Sequence, residues 1–385
     1  SIPANYAINA AQGSLSATNY SFIFQNGTLS VGKATLVATA DNQSKIYGDA
    51  NPPLTISYNG FVNGDTMATS GMSGTPALTT QATASSGVGA YDITVAQGSL
   101  SAPNYDFNYV SGKLIITKAT VRVIATDTFR LYGAADPVFA ARYDGFVNGE
   151  MLTSSGISGA PSFTTDATIL SPVDVYTLTP AKGTLVSANY QFEYVAGKFN
   201  VGKATVTVKA NNASRLYGQV NPEFTAAYSG FMNGENLATS GILGQPSLLT
   251  TATASSATGD YDINASVGSL FSHNYTFSYE KGTLTVGKAV IKVKADDKSR
   301  SYGVSNPVLT ASYNGFVNGE NLGTSGITGA PVLNTTATAS SPVGNYAITV
   351  AIGTLASANY DFSFTDGKLA IGKAVLTITA EHKNR

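Results

Sequence analysis

The dipeptide Tyr-Gly occurs at Tyr47-Gly48, Tyr132-Gly133, Tyr217-Gly218 and Tyr302-Gly303, each 85 residues from the next. Asn-Gly-acid follows the same period at Asn63-Gly64-Asp65, Asn148-Gly149-Glu150, Asn233-Gly234-Glu235 and Asn318-Gly319-Glu320. Asn-Tyr does so too, starting at Asn19, Asn104, Asn189, Asn274 and Asn359, with no insertion or deletion between the first mark and the last. A period this long restricts the fold more than any single motif does. A unit of about 85 residues can hold a small core, whereas a solenoid repeat of roughly 20–45 residues must borrow its neighbour's. Self-contained beads on a string are therefore expected.

Cutting before the recurring Lys-Ala gives four complete units, 33–117, 118–202, 203–287 and 288–372. Residues 1–32 read as the C-terminal part of a preceding repeat and 373–385 as the start of a following one. The opening Ser1-Ile2-Pro3-Ala4-Asn5 has no initiator Met and no basic segment leading into an apolar one. The natural protein is expected to continue in both directions.

Within a unit the patterns are those of strands. Ala204 to Ala210 alternates small or apolar with polar side chains, as do Leu36 to Ala40, Val121 to Ala125 and Ile291 to Ala295. Asn221-Pro222 reads as a rigid corner, because proline fixes its own φ and biases the preceding residue toward an extended conformation. A second strand, Phe224 to Tyr228, leads to Gly230-Phe231 and then to Asn233-Gly234-Glu235. The acid at 65, 150, 235 and 320 is expected to cap one helical turn such as Asn236 to Thr239, and no longer helix is supported. Another short strand, Tyr91 to Val95 or Tyr346 to Val350, precedes the strongest signal. That signal is a run of alternate aromatics: Tyr20/Phe22/Phe24, Tyr105/Phe107/Tyr109, Tyr190/Phe192/Tyr194, Tyr275/Phe277/Tyr279 and Tyr360/Phe362/Phe364. They share one sheet face and read as core, with Tyr275 and Phe277 expected against Val206 or Val208. Because Val201 to Val208 carries one strand pattern almost directly into the next, neighbouring units have little linker to flex, and an extended array follows.

Composition decides which chemistry remains. The chain has 385 residues, with 22 basic against 23 acidic and a net charge of -1, so no polyanion-binding surface and no nucleic-acid partner is expected. It has no Cys, no Trp and two His; His273 and His382 do not recur with the period and read as surface residues. The recurring acid has no second acid at a fixed position, which leaves glycoside hydrolysis without its pair of carboxylates. No catalytic or cofactor-binding residue is assigned, and the chain is not read as an enzyme. Oxygen donors at Asp41, Asn42, Asp127, Asn211, Asn212, Asp296 and Asp297, with the recurring acid, leave weak calcium binding open, although turn formation explains them and none forms an Asp-x-Asp-x-Asp-Gly loop. Lys33, Lys118, Lys203, Lys288 and Lys373 could in principle form Lys-to-Asn amide cross-links, yet their place beside an unvarying Ala at the unit junction fits packing and solvation. Asn26-Gly27-Thr28 is a short sequon of the kind that arises easily in a Ser/Thr-rich chain. No stretch of 18 consecutive apolar residues is present to span a bilayer as a helix.

Taken in order, Lys203-Ala204, Tyr217-Gly218, Asn221-Pro222, Tyr228 to Glu235, Asn274-Tyr275-Thr276-Phe277 and Gly282 to Leu284 resemble the bacterial MBG domain of the YGX type. The resemblance covers all four complete units and the matching part of each end fragment. Departures are local: Ala38 stands where the signature has Val, Asp65 where it has Glu, Asp136 precedes Pro137, and Phe199 stands where later copies have Leu284 and Leu369. The resemblance implies a mostly β fold, an extended tandem array of about 85-residue β-grasp-like domains, with immunoglobulin-like β-sandwiches as the alternative. It also implies an extracellular or bacterial cell-surface location, in an adhesin similar to the filamentous-haemagglutinin-like two-partner-secreted exoproteins. The expected role is a rigid stalk projecting a distal binding region from a monomeric fragment. The alternative is that the repeated modules themselves bind a host or biofilm polysaccharide, or a surface protein, with avidity.

Overall fold

The computed structural model describes residues 1–382; the last three residues of the 373–385 fragment lie outside the described residues. By compactness the chain forms two units. One comprises Ser1–Arg130, Asp136–Thr168 and Asp174–Asn200, and the other comprises Leu131–Ala135, Ile169–Val173 and Val201 onward.

In chain order, the first nine strands are β1 (Ala4–Ile8), β2 (Gly27–Val31), β3 (Ala34–Ala40), β4 (Gln43–Ile46), β5 (Ile56–Asn59), β6 (Ala77–Thr80), β7 (Gly89–Ala96), β8 (Tyr105–Val110) and β9 (Gly112–Thr117). Strands β3 to β9 make up the first complete repeat. In its three-stranded sheet β3 is central, antiparallel to β5 (Ala38↔Tyr58) and parallel to β8 (Ala34↔Tyr105, Leu36↔Phe107). The four-stranded sheet has the order β4-β9-β7-β6, with β4 parallel to β9 (Gln43↔Leu114) and the other pairs antiparallel (Tyr91↔Leu114, Leu78↔Val95). Both sheets recur in the other three copies with the same strand order.

The register follows from the alternation. Leu36 and Ala38 from one sheet and Ile93, Leu114 and Ile116 from the other point inward and are at most 1% exposed. Their intervening neighbours face water. A single residue, Ser111, separates β8 from β9, so the chain must cross between sheets abruptly. Gly112 allows this, because a Cβ there would lie 2.4 Å from the Ala40 carbonyl oxygen.

No helix occurs among the described residues. The mixed sheet, with its first strand beside a parallel late strand, is the part of the expected β-grasp that is present. The layer packed across it is a second sheet, which makes the two-sheet sandwich the better description. The turn at Asn236 exists, with the Thr239 and Ser240 amides both donating to the Asn236 carbonyl, but its capping acceptor is Thr239 Oγ1, which takes the Asn236 amide at 2.9 Å, not the acid.

In the four complete copies the first aromatic of the run is core, Tyr105, Tyr190, Tyr275 and Tyr360 being at most 1% exposed, whereas Tyr20 of the first fragment is exposed. Phe277 pairs with Val206 as expected but is only half-buried, and Phe107 is likewise half-buried. Both lie on the outer strand of a three-stranded sheet, where one flank has no neighbour. The two end fragments show what such a strand needs. Strands β1 and β2 pair in the repeat's own register, Tyr6↔Leu29 matching Tyr91↔Leu114. The aromatic run from Tyr20 to Phe24 forms no strand, and neither does Ala374 to Ala380.

Candidate functional site

The expectation of self-contained cores does not survive at the joints between copies. In the first unit one buried cluster runs from Tyr47, Ile93, Leu114 and Ile116 of one copy into Ala119, Val121 and Tyr190 of the next. In the second unit a cluster likewise joins Tyr217, Ile263, Leu284 and Val286 to Ile291, Val293 and Tyr360. What crosses each joint is the Tyr-Gly motif.

The Tyr47 hydroxyl donates to Oε1 of Glu150 at 2.5 Å, and the Tyr190 hydroxyl donates to Oε2 of the same carboxylate at 2.7 Å. The two rings meet edge to face, 5.6 Å between centroids. Glu320 is held in the same way by Tyr217 (2.6 Å) and Tyr360 (2.5 Å). Within the second unit, Glu235 is held by Tyr132 (2.6 Å) and Tyr275 (2.6 Å). A carboxylate accepting two phenols uses both oxygens, and charge-assisted bonds of this kind are roughly twice as strong as neutral ones. The acid expected to cap a turn is thus the acceptor at the centre of the joint.

The neighbouring residues shape the same contact. Asn148 and Asn318 take positive φ (58° and 54°), turning the loop so that the acid points at the tyrosines. Gly48, at φ 92°, lies against Val147, and a Cβ there would come within 2.5 Å of Val147 Cγ2. The Asn of Asn-Tyr completes the joint. Asn189 Oδ1 accepts from the Val88 amide at 3.0 Å, and Asn359 Oδ1 accepts from the Thr258 amide at 3.1 Å.

Burial and the carboxylate together raise the phenol pKa values. For Tyr47 and Tyr217 the bond to glutamate is the larger cause and burial the second. For Tyr190, Tyr275 and Tyr360 burial comes first, then the glutamate bond, and each is pushed up to about 12.

The chain contains its own control. Tyr302 belongs to the fourth Tyr-Gly and, among the described residues, meets no following acid; it is 48% exposed, against 4–5% for Tyr47, Tyr132 and Tyr217. A Cβ on Gly303 would meet nothing within 4 Å. At the other end, among the described residues, the Asp65 carboxylate accepts only from Tyr105, at 2.7 Å. Burial of the motif therefore comes from the joint and not from the repeat's own fold.

A recurring cation lies two residues before each of these tyrosines and escaped the sequence reading. Lys45, Arg130, Arg215 and Arg300 are at most 8% exposed. Arg215 Nε donates to Asn221 Oδ1 at 2.7 Å, and its other nitrogens donate to the Leu216 and Thr253 carbonyls. Asn221 Nδ2 in turn donates to the Ala252 carbonyl at 2.7 Å. The Asn-Pro corner thus positions an amide that helps satisfy a buried guanidinium. In the second copy Asp136 takes the place of that Asn and pairs with Arg130 at 2.7 Å.

The remaining sequence candidates have other duties. Asn42, Asp127, Asn212 and Asp297 each accept a backbone amide, from Lys113, Lys198, Thr283 and Lys368, at 2.7–2.9 Å. Asp41 accepts from Ser57, Asp296 from Thr310, and Asn211 donates to Thr225 Oγ1. Among the described residues no three acids or histidines come together as a metal site. Lys33, Lys118, Lys203 and Lys288 donate to the carbonyls of Ala102, Ser187, Ser272 and Ser357 at 2.8–3.3 Å, tying each repeat's first residue to the loop before its aromatic strand. His273 Nε2 lies 3.0 Å from the Val173 carbonyl and His382 is exposed, so neither joins a site. Asn26 Oδ1 accepts from the Ala10 amide at 3.1 Å. An open groove of about 290 Å³ runs along β8, lined by Lys33, Gln97, Asp106, Phe107 and Tyr109. A groove of about 420 Å³ occupies the same place in the second copy, lined by Lys118, Lys182, Gln191, Phe192 and Tyr194.

Among solved structures, the chain is similar to Drosophila N-cadherin EC1-4 (9% identity, 74% of this chain and 83% of that one, TM-score 0.23). It is also similar to the protocadherin gamma B2 extracellular cadherin domains 3-6 (10% identity, 89% and 100%, TM-score 0.21). A third is the I9-I11 tandem of titin (12% identity, 67% and 98%, TM-score 0.17). Likenesses at this level carry no argument. No curated protein matches the chain. The MBG domain (YGX type) profile matches four times, over residues 36–115, 121–200, 206–285 and 291–370, and each match contains the Tyr-Gly, the acid and the buried tyrosine of the joint; the chain belongs to the MBG domain (YGX type) family.

Proposed function

We propose that this chain is a non-enzymatic spacer, the repeat region of an adhesin-like protein at the bacterial surface or outside the cell, which carries a distal binding region away from its anchor. The observation that carries this reading is the buried Tyr-Glu-Tyr contact, in which the tyrosine of one repeat is held by the acid of the next. Such a contact resists bending and twisting at a joint that has almost no linker. A region with this task needs no ligand of its own. Immobilised 385-residue chain is expected to show no saturable binding to matrix proteins or biofilm polysaccharide. Deleting one 85-residue repeat from the full protein should shorten its reach without changing the affinity of the distal region.

A second reading has one observation in its favour, the equivalent groove beside the aromatic strand in both copies of the first unit. If the repeats adhere directly, a polysaccharide or surface protein occupies these grooves weakly and multiple copies add avidity. Saturable binding that grows steeply with repeat number, and falls on substitution of Lys118 or Phe192, would replace the spacer reading with this one.

A further inference from the structure

Among the described residues only four that are not glycine take positive φ: Asn63, Asn148, Asn233 and Asn318. Each is followed by a glycine that is also positive, at φ 70° to 76°. The next amide donates back across the pair, Glu150 to the Val147 carbonyl and Glu320 to the Val317 carbonyl, both at 3.0 Å, which is the pattern of a type I′ turn. The turn leaves its glycine open. Among the described residues the amides of Gly149, Gly234 and Gly319 make no hydrogen bond to the protein, and a Cβ on any of the three would meet nothing within 4 Å. The preceding asparagines are exposed. Two other Asn-Gly pairs are enclosed instead. Asn59 and Asn314 end strands, paired with Val37 and Lys292, and a Cβ on Gly60 or Gly315 would lie 2.8 or 2.6 Å from a carbonyl oxygen of the neighbouring strand. The open asparagines also reach the joint. Asn318 Nδ2 lies 3.5 Å from the Ala254 carbonyl oxygen of the preceding copy, and a Cβ on Gly133 would lie 3.2 Å from Asn233 Nδ2. The Asn148 and Asn318 side chains bond the Tyr47 and Tyr217 hydroxyls, partly offsetting the glutamate bond and the burial that raise those phenol pKa values.

We propose that Asn148, Asn233 and Asn318 are sites of spontaneous deamidation, and that their conversion loosens the joint each one lines. The glycine amide nitrogen attacks the asparagine Cγ; the N–Cγ bond forms, the Cγ–Nδ2 bond breaks, and ammonia leaves with the amide proton. Water then opens the five-membered imide at either carbonyl, giving aspartate or isoaspartate. Aspartate puts an acceptor where a donor stood. At position 318 an anionic oxygen would face the Ala254 carbonyl oxygen and crowd the hydroxyl that Tyr217 donates to Glu320. Isoaspartate adds one methylene to the main chain inside the turn. That parts the Glu320 amide from the Val317 carbonyl and displaces the acid from its two phenols. The joint loosens whether the repeats space or bind.

Incubation of the 385-residue chain in mildly alkaline buffer, followed by peptide mapping, tests this. Intact mass should rise from the unmodified value by about 1 Da per converted residue. Asn148, Asn233 and Asn318 should convert roughly tenfold faster than the enclosed Asn59 and Asn314, and the melting temperature should fall by several degrees as they do. Asn318→Gln, whose longer side chain closes such a ring far more slowly, should abolish conversion at that position. Asn318→Asp should lower the melting temperature, whereas Asn314→Asp, the same charge change on an exposed strand residue, should leave it unchanged. Equal conversion of Asn314 and Asn318, no conversion of the joint asparagines, or a melting temperature that Asn318→Asp does not lower overturns the proposal.

Discussion

Substituting phenylalanine at the four Tyr-Gly tyrosines, one at a time, isolates the joint from the repeat. Each change removes one hydroxyl and leaves the ring. In Tyr217→Phe the lost bond is a 2.6 Å donation to the Glu320 carboxylate from a ring that is 5% exposed. Hydrogen bonds to charged groups contribute roughly 1.5–3 kcal/mol, and the carboxylate left behind keeps only Tyr360, so the cost should be about 2 kcal/mol. For a cooperative unit of about 190 residues that corresponds to a fall of roughly 4–8 °C in melting temperature. Tyr302→Phe is the matched control: the same motif, 48% exposed and with no acid partner, should move stability by less than about 0.5 kcal/mol. Calorimetry of the full chain, with urea unfolding to give the free-energy change, measures both. Equal costs at Tyr217 and Tyr302, or no cost at either, would refute the assignment of the motif to the joint.

The same contrast applies to glycine. Gly218→Ala must place a Cβ 2.3 Å from Val317 Cβ at a φ of 82°, whereas Gly303→Ala has a φ of 83° and open space, so Gly218→Ala should lower the melting temperature by more than the backbone strain common to both. The raised phenol pKa values of Tyr190, Tyr275 and Tyr360 make stability depend on high pH. Folding favours the protonated phenol, so the stabilisation is complete below the unfolded value near 10 and is lost as pH rises through about 12; ultraviolet titration against alkaline unfolding should show late ionisation coinciding with loss of structure. Phe277→Ala on a half-buried ring should cost about 2 kcal/mol in urea unfolding, below the roughly 3–5 kcal/mol of a fully buried one. Intact mass should match the unmodified sequence, without the loss of about 17 Da per Lys-to-Asn cross-link, and calcium or chelator should shift melting only slightly.

The repeat length, the strands at Ala204, Tyr91 and Tyr275 and the core role of Tyr275 were legible because each rests on local alternation or exact recurrence, whereas the strand expected from Phe224 to Tyr228 begins only at Ala226. The joint was not, although all its parts are present in the sequence. Tyr217 and Glu320 stand 103 residues apart, and a period of 85 says that each recurs without saying that one copy's tyrosine reaches the next copy's acid. One signal could have suggested it. The first aromatic in the run is Tyr at 20, 105, 190, 275 and 360, whereas the next is always Phe, and an unvarying buried hydroxyl needs an acceptor. The cation at 45, 130, 215 and 300 recurs as strictly and was hidden for another reason, since buried Arg is rare enough that the residue reads as surface. Strands as short as Gln43–Ile46 and Ala77–Thr80 carry too few alternations to register, and form because a longer neighbour, β9 or β7, offers its edge.

Small-angle scattering of the 385-residue chain tests the proposed spacer role most directly. Four repeats of about 30 Å each should span at least about 120 Å and give a radius of gyration near 35 Å, with a cross-section that does not change when salt is varied. A radius near 21 Å, the value for one compact particle of this length, or a flexible-chain profile at the expected span, would contradict it.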